Sequence, residues 1–369
     1  MTKVETAFFE LLKMGLWDIS SNCDIFRDLS DTEWKDIYNI SSKQTVMGIT
    51  YDGIAKLPME YRPDKKLLLQ WSLFAIRIEQ NNLLINTILT EVIKKYQAQK
   101  LSPVLLKGQG IGQYYPNPKH RQPGDIDLYF DSNENYQQAN HIASKWDDVV
   151  LDEETSKHQS FSYKNVIIEN HHTYFEFYNK KNIDAWKHVM KYLPLCDNDF
   201  FQCEGCKVAV PSPQMNAVYT FLHLFHHFLT IGVGLRQVCD WMCLLNAHAE
   251  DINIRLFERT INDLPISRGM GALKYIAVHY LGFPRAETIP IDINSDQTKR
   301  DAELMIEDIM ASGNFAHDTE MMRIRKHGFV KNLHSYTLAM KRYIKIYPLC
   351  KSEVIAYPLY WVKSKIHGY

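Results

Sequence analysis

A chain of 369 residues, 46% of them hydrophobic, has ample material for one large core or two domains. Its formal charge of −1 excludes a molecule-wide field for nucleic acid, and no run reaches the ~18 uninterrupted apolar residues of a membrane span. Glu5 and Glu10 interrupt the first short apolar stretch, so no secretion signal is expected, and the seven cysteines read as reduced thiols of a cytoplasmic protein.

Residues 1–100 read as a helical region. Ser30-Asp31-Thr32-Glu33 is a capping box that opens a helix through Tyr38. Pro63 suits the first turn of a long helix running to about Gln99, in which Leu67, Trp71, Phe74, Ile78, Ile85 and Leu89 recur near helical spacing. Between 101 and 210 short strands alternate with short helices, an α+β pattern. Residues 103–106 form a short apolar run expected to be a buried strand, ending in Lys107-Gly108-Gln109-Gly110 and a short helix stopped by Pro116. Such a strand, turn and helix presents backbone N–H groups to a phosphate, and Lys107 adds a point charge. Gln113 in the third glycine position rules out a dinucleotide fingerprint, and no Gly-Lys-Ser/Thr follows to make a P-loop.

Seventeen residues after Lys107, Gly124-Asp125-Ile126-Asp127-Leu128 sets two carboxylates on one face of a strand, because side chains alternate. Like charges so placed call for a cation, and hard oxygen donors suit Mg²⁺, with Mn²⁺ as the alternative. In the preceding loop Arg121 and Lys119 are the candidate phosphate contacts. A helix is expected from Asn133 toward Trp146. Residues 161–163 and 166–169 then read as two strands joined at Lys164-Asn165, and Glu169 offers a third carboxylate. Its rival, Glu176, alternates with aromatics in 174–178 and is expected to face outward from a strand. His158 and His171 are pocket candidates. Cys203 and Cys206 flank a hairpin turn at Glu204-Gly205, and without a second Cys-x-x-Cys they do not make a zinc site.

After Pro211 helices resume, at about 213–230, 234–248, 252–263, 267–281 and 297–311, with further stretches beyond 330. His223, His226 and His227 share a helix face, but no metalloprotease Glu follows His223, so packing around a pocket is the better reading than zinc. Arg236 and Asp240 are spaced as an ion pair on a helix surface, and Cys239 and Cys243 read as buried small side chains. Residues 321–369 carry ten Lys/Arg against one acid, Glu353, interleaved with aromatics. That segment suits either RNA contact or a helical cap facing water.

At Leu106-Lys107-Gly108, Tyr115-Pro116, Arg121-Gln122-Pro123-Gly124-Asp125-Ile126-Asp127-Leu128 and Glu169-Asn170-His171 the chain resembles the DNA polymerase β-like nucleotidyltransferase superfamily. It is most similar to an uncharacterised bacterial branch, over roughly residues 101–245, and Arg236 and Asp240 match a Leu-Arg-x-x-x-Asp element of that branch. The resemblance implies a small mixed-sheet core at 101–210, flanked by helical regions at 1–100 and 211–369. It implies transfer of a nucleoside monophosphate from an NTP such as ATP to an acceptor hydroxyl, with release of pyrophosphate. Two Mg²⁺ ions would sit on Asp125, Asp127 and Glu169, and Lys107, Gly108, Gln109, Arg121 and Gly124 would hold the nucleotide. The acceptor, whether small molecule, protein or RNA, is left open. Gly108-Gln109 departs from the Gly-Ser or Gly-Gly of many members, which motivates a second hypothesis, a module that binds nucleotide without transferring it. The basic segment motivates a third, a toxin-like transferase acting on RNA.

Overall fold

The computed structural model describes residues 1–17, 23–154, 157–173, 175–197, 199–313, 340 and 342–367. One mixed sheet organises the middle of the chain. Its strands are β1 (Val104–Leu105), β2 (Ile126–Tyr129), β3 (Val149–Glu154), β4 (His158–Tyr163), β5 (Val166–His171), β6 (Phe200–Cys203) and β7 (Cys206–Ala209), in the order β3-β4-β5-β2-β1-β7-β6. β2 runs parallel to β5 and antiparallel to β1, and β1 runs parallel to β7.

Strand alternation divides the sheet into a dry face and a polar one. Ile126, Leu128, Phe161 and Ile168 pack with Ile85, Leu89 and Tyr96 of the Lys65–Ala98 helix in one apolar core. Asp127, Glu169 and His171 therefore stand on the opposite face, under the Pro213–Thr230 helix. The long helix starts at Asp64, whose carboxylate accepts from the N–H groups of Lys66 and Leu67. Asp is the better cap, so Pro63 lies just outside it rather than in the first turn. The Ser30/Glu33 capping box is present, and its helix runs past Tyr38 as Asp31–Lys43.

A second, larger core draws residues from both ends of the chain, with Phe8, Trp71, Phe221, Trp241 and Ile309 among them. Its N-terminal part depends on close backbone approach. The Lys3–Leu16 and Met47–Ala55 helices touch where a Cβ on Gly15 would fall 2.1 Å from Ile49 O, and one on Gly53 2.2 Å from Leu11 O. Gln44 then joins the two ends, donating to Ile309 O and accepting from Leu235 N–H. Beyond the sheet, helices span Leu235–Ala247, Ile254–Asp263, Ser267–His279, Asp296–Ser312 and Lys351–His367. Among the described residues no helix is long and apolar enough to cross a membrane.

Two elements lack a clear signal in the residue pattern, β3 and the Lys180–Val189 helix. Conversely, among the described residues no strand forms around Glu176, and residues 175–177 are irregular. Much of the basic 321–369 segment lies outside the described residues.

Candidate active site

Antiparallel pairing of β1 with β2 sets Leu105 opposite Leu128 and joins Leu106 N to Asp127 O at 3.1 Å. The next residue, Lys107, thereby reaches Asp127: Nζ lies 2.9 Å from Oδ1 and 2.9 Å from Nε2 of His223. Gly108 follows at φ +54°, ψ −116°, a conformation that needs glycine, and turns the chain into the Gln109–Gly112 helix.

The third acid arrives through register. β2 and β5 pair Asp127 with Glu169 directly, and β5 and β4 pair His171 with His158. Oxygens of Asp125, Asp127 and Glu169 all lie within 4.8 Å of one another. His171 Nε2 is 3.0 Å from Asp127 Oδ1 and 3.2 Å from Glu169 Oε2, and His158 Nε2 is 3.6 Å from Glu169 Oε1. Asp127 is 1% exposed, and its Oδ2 is buried with no hydrogen-bond partner. A buried carboxylate oxygen left bare is costly, and three converging hard oxygens fit a Mg²⁺-class cation.

The charges are uneven. Burial pushes the Asp127 carboxyl up, but the Lys107 ammonium and the His171 hydrogen bond pull it well below the usual carboxylate range. Asp125 moves the other way, raised by the charge of Asp127 and then by burial. Lys107 stays an ammonium despite burial because Asp127 holds it. Burial lowers His171, yet its bonds to Asp127 and Glu169 raise it overall, whereas burial leaves His158 lowered.

These side chains line a cavity of about 320 Å³ roofed by the Pro213–Thr230 helix. His223, His226 and His227 project from that roof, and the Nε2 atoms of His223 and His227 are 3.1 Å apart. Burial first, and then neighbouring lysines, keep these imidazoles neutral, His227 being pushed down to about 3. Among the described residues the groups able to hold a metal are Asp125/Asp127/Glu169 and His158/Glu169/His171. The roof histidines and Cys203/Cys206 belong to neither.

Arg121 reaches the cavity as expected, but as part of a buried network. It is 3% exposed and grips Asp240 through two bonds, of 2.7 and 2.9 Å, while Tyr115 Oη donates to the same carboxylate at 2.6 Å. The surface pair expected between Arg236 and Asp240 is thus replaced: Asp240 is buried and takes its partner from the loop before β2, and Arg236 donates to Gln122 O at 3.0 Å. Gly124 and Gly108 line the cavity too.

Gln109 does not. Its amide donates to Asn86 Oδ1 at 2.5 Å and Asn82 Oδ1 at 3.3 Å, because the long helix presents that i,i+4 pair beneath the turn. The side chain of Lys119 is also absent from the cavity wall, its carbonyl accepting from Asn82. Glu176, expected to face outward, lines the cavity with an oxygen 3.8 Å from Lys157 Nζ. Tyr219, Gln237, Thr173 and Lys157 also line it. Tyr219 lies four residues before His223 on the same helix face, a spacing that marks it in hindsight; Lys157, in the turn before β4, carries no such signal.

Set beside known proteins, residues 30–282 match the model of a family described as an uncharacterised nucleotidyltransferase. No curated protein and no solved structure matches the chain.

Proposed function

The chain belongs to that nucleotidyltransferase family, and on this footing we propose that it moves a nucleoside monophosphate from an NTP to an acceptor hydroxyl, with a divalent cation held by Asp125, Asp127 and Glu169. The observation that carries the proposal is the meeting of those three carboxylates on the cavity face, one buried oxygen of Asp127 lacking a partner. Bound there, Mg²⁺ would neutralise phosphate charge and make the acceptor hydroxyl more acidic.

The rest follows from the chain's own side chains. Lys107 has three N–H groups and two protein neighbours, Asp127 and His223, so one N–H is available for a phosphate oxygen. Gly108 keeps its side of the turn clear, since a Cβ there would come within 3.2 Å of Asp125 O. Asp240 fixes the Arg121 guanidinium in one orientation at the cavity wall. The acceptor oxygen forms a bond to the α-phosphorus as the bond from that phosphorus to the bridging oxygen breaks. Pyrophosphate leaves with the electron pair, and Glu169 takes the hydroxyl proton. Transfer of this kind is accelerated mainly by positioning and charge neutralisation.

The test is pyrophosphate release from each of four α-labelled NTPs with Mg²⁺, with small metabolites, protein and total tRNA offered as acceptors. Asp127→Asn should lose at least about 100-fold of the wild-type rate, the scale of removing an electrostatic stabiliser. Wild-type turnover by that variant would overturn the assignment. The binding-only reading rested on Gln109, and with that side chain committed to Asn82 and Asn86 the departure leaves Lys107 and Gly108 untouched. Thermal stabilisation by NTP without any pyrophosphate would restore it.

A further inference from the structure

Glu169 belongs to two clusters, and the second has a different chemistry from the first. We propose that His158, Glu169 and His171 form a nitrogen-containing cation site beside the all-oxygen one, and that it takes a first-row transition ion, Mn²⁺ or Zn²⁺, in preference to Mg²⁺. The inference deepens the nucleotidyl-transfer reading by assigning the second cation of that active site.

The register of three adjacent strands builds the site. His158 on β4 faces His171 on β5, Glu169 lies two residues along β5 on the same face, and Asp127 on β2 pairs with Glu169. Each oxygen of Glu169 thus meets a different imidazole, at 3.6 and 3.2 Å, both through Nε2. Donors held at about 2.1 Å by a tetrahedral ion stand about 3.4 Å apart, and about 3.0 Å apart around an octahedral one. The two contacts run to different oxygens of Glu169, and one donor atom from each of the three residues lies within 4.8 Å of the others, so a cation would draw the three side chains closer together. Two imidazoles and a carboxylate are a donor set that Zn²⁺ and Mn²⁺ accept readily, whereas Mg²⁺ prefers oxygen and water. The alternative is that His171 is a permanent imidazolium bridging Asp127 and Glu169, with no nitrogen ever bound to metal.

Pulsed EPR on the full chain separates the two. Protein stripped with EDTA is given one equivalent of Mn²⁺ in the presence of a hundredfold excess of Mg²⁺, and the electron spin echo is examined for ¹⁴N modulation. Bound Mn²⁺ with directly coordinated imidazole nitrogen is expected, lost or halved in His158→Gln and His171→Gln, and retained in Asp125→Asn. Should His171→Gln fail to fold, His158→Gln decides, since the His158 side chain is partly exposed. Mn²⁺ displaced by the Mg²⁺, or Mn²⁺ bound with oxygen ligands alone, would overturn the proposal. The readout is independent of turnover: nitrogen coupling without pyrophosphate release would sink the transfer reading and leave the site, and the reverse result would do the opposite.

Discussion

Asparagine at position 125 and asparagine at position 127 remove the same charge two residues apart, yet they should move the stability of the metal-free protein in opposite directions. Oxygens of the two carboxylates lie within 4.8 Å, and at an effective dielectric of about 20 two unit charges that far apart repel by roughly 3 kcal/mol. Lys107 offsets part of this for Asp125, but its carboxyl is still raised, so repulsion wins. Discounted for the partial exposure of Asp125, relief of that repulsion in Asp125→Asn is worth about 1 kcal/mol. Asp127 is buried between Lys107 and His171, so Asp127→Asn strands an ammonium, a change that typically costs about 3–5 kcal/mol. With an unfolding entropy of ~2.1 cal/mol/K per residue over 369 residues, these become a rise in Tm of about 1 °C and a fall of about 4–6 °C.

Differential scanning fluorimetry in EDTA reads both shifts. Mg²⁺ at a hundred times its Kd should then add about 2.7 kcal/mol to the wild type and markedly less to either variant. The pH dependence supplies a sign check. The lowered Asp127 contributes stability above the ordinary carboxylate pKa of ~3.9, lost as pH falls through its folded value; the raised Asp125 is a penalty at neutral pH, relieved as pH falls through its own. The advantage of Asp125→Asn should therefore shrink toward pH 4. If Asp125→Asn melts below the wild type in EDTA, or the two variants fall alike, the carboxylates do not repel as argued and the case for a cation between them fails.

Three other outcomes follow from the same structure. Asp240→Ala leaves Arg121 buried without its two-bond partner and should cost about 3–5 kcal/mol in urea unfolding, while Arg121→Met combined with Asp240→Leu should recover most of it. His120 lies 2.7 Å from Asp52 and 3.1 Å from Glu79, so both ring nitrogens face acceptors and the imidazolium is favoured; although burial opposes it, its pKa is raised. That stability is complete below ~6.5 and lost as pH rises through the folded value, so Tm from pH 6 to 8.5 should fall more in the wild type than in His120→Gln. Gln109→Ala should lose about 1 kcal/mol of stability from its bond to Asn86 and leave the KM for NTP unchanged, because the side chain does not face the cavity.

What could be seen in the sequence and what could not divides along the reach of the interactions. Asp127 was legible because alternation along one strand is a local rule, whereas Asp125, expected on the same strand, sits one residue before β2 begins. Glu169 was legible because Lys164 and Asn165, at φ +50° and +66°, close a tight turn that fixes the β4–β5 register. The parallel pairing of β2 with β5 has no local signature, yet it is what brings Glu169 opposite Asp127. Local rules misled where a distant partner competed: helical spacing suggested Arg236 for Asp240, but a buried carboxylate took Arg121 from 119 residues away. Around Glu176, alternating aromatics suggested a strand, but residues 175–177 are irregular, with Phe175 and Phe177 both packed edge-on against Trp186. Lys107 shows both sides at once. Its place after a strand and before a glycine suggested a phosphate contact, and only the β1–β2 register reveals that its ammonium holds Asp127 ionised. Under the proposed function the two would act together, because an ionised carboxylate is the form a divalent cation requires.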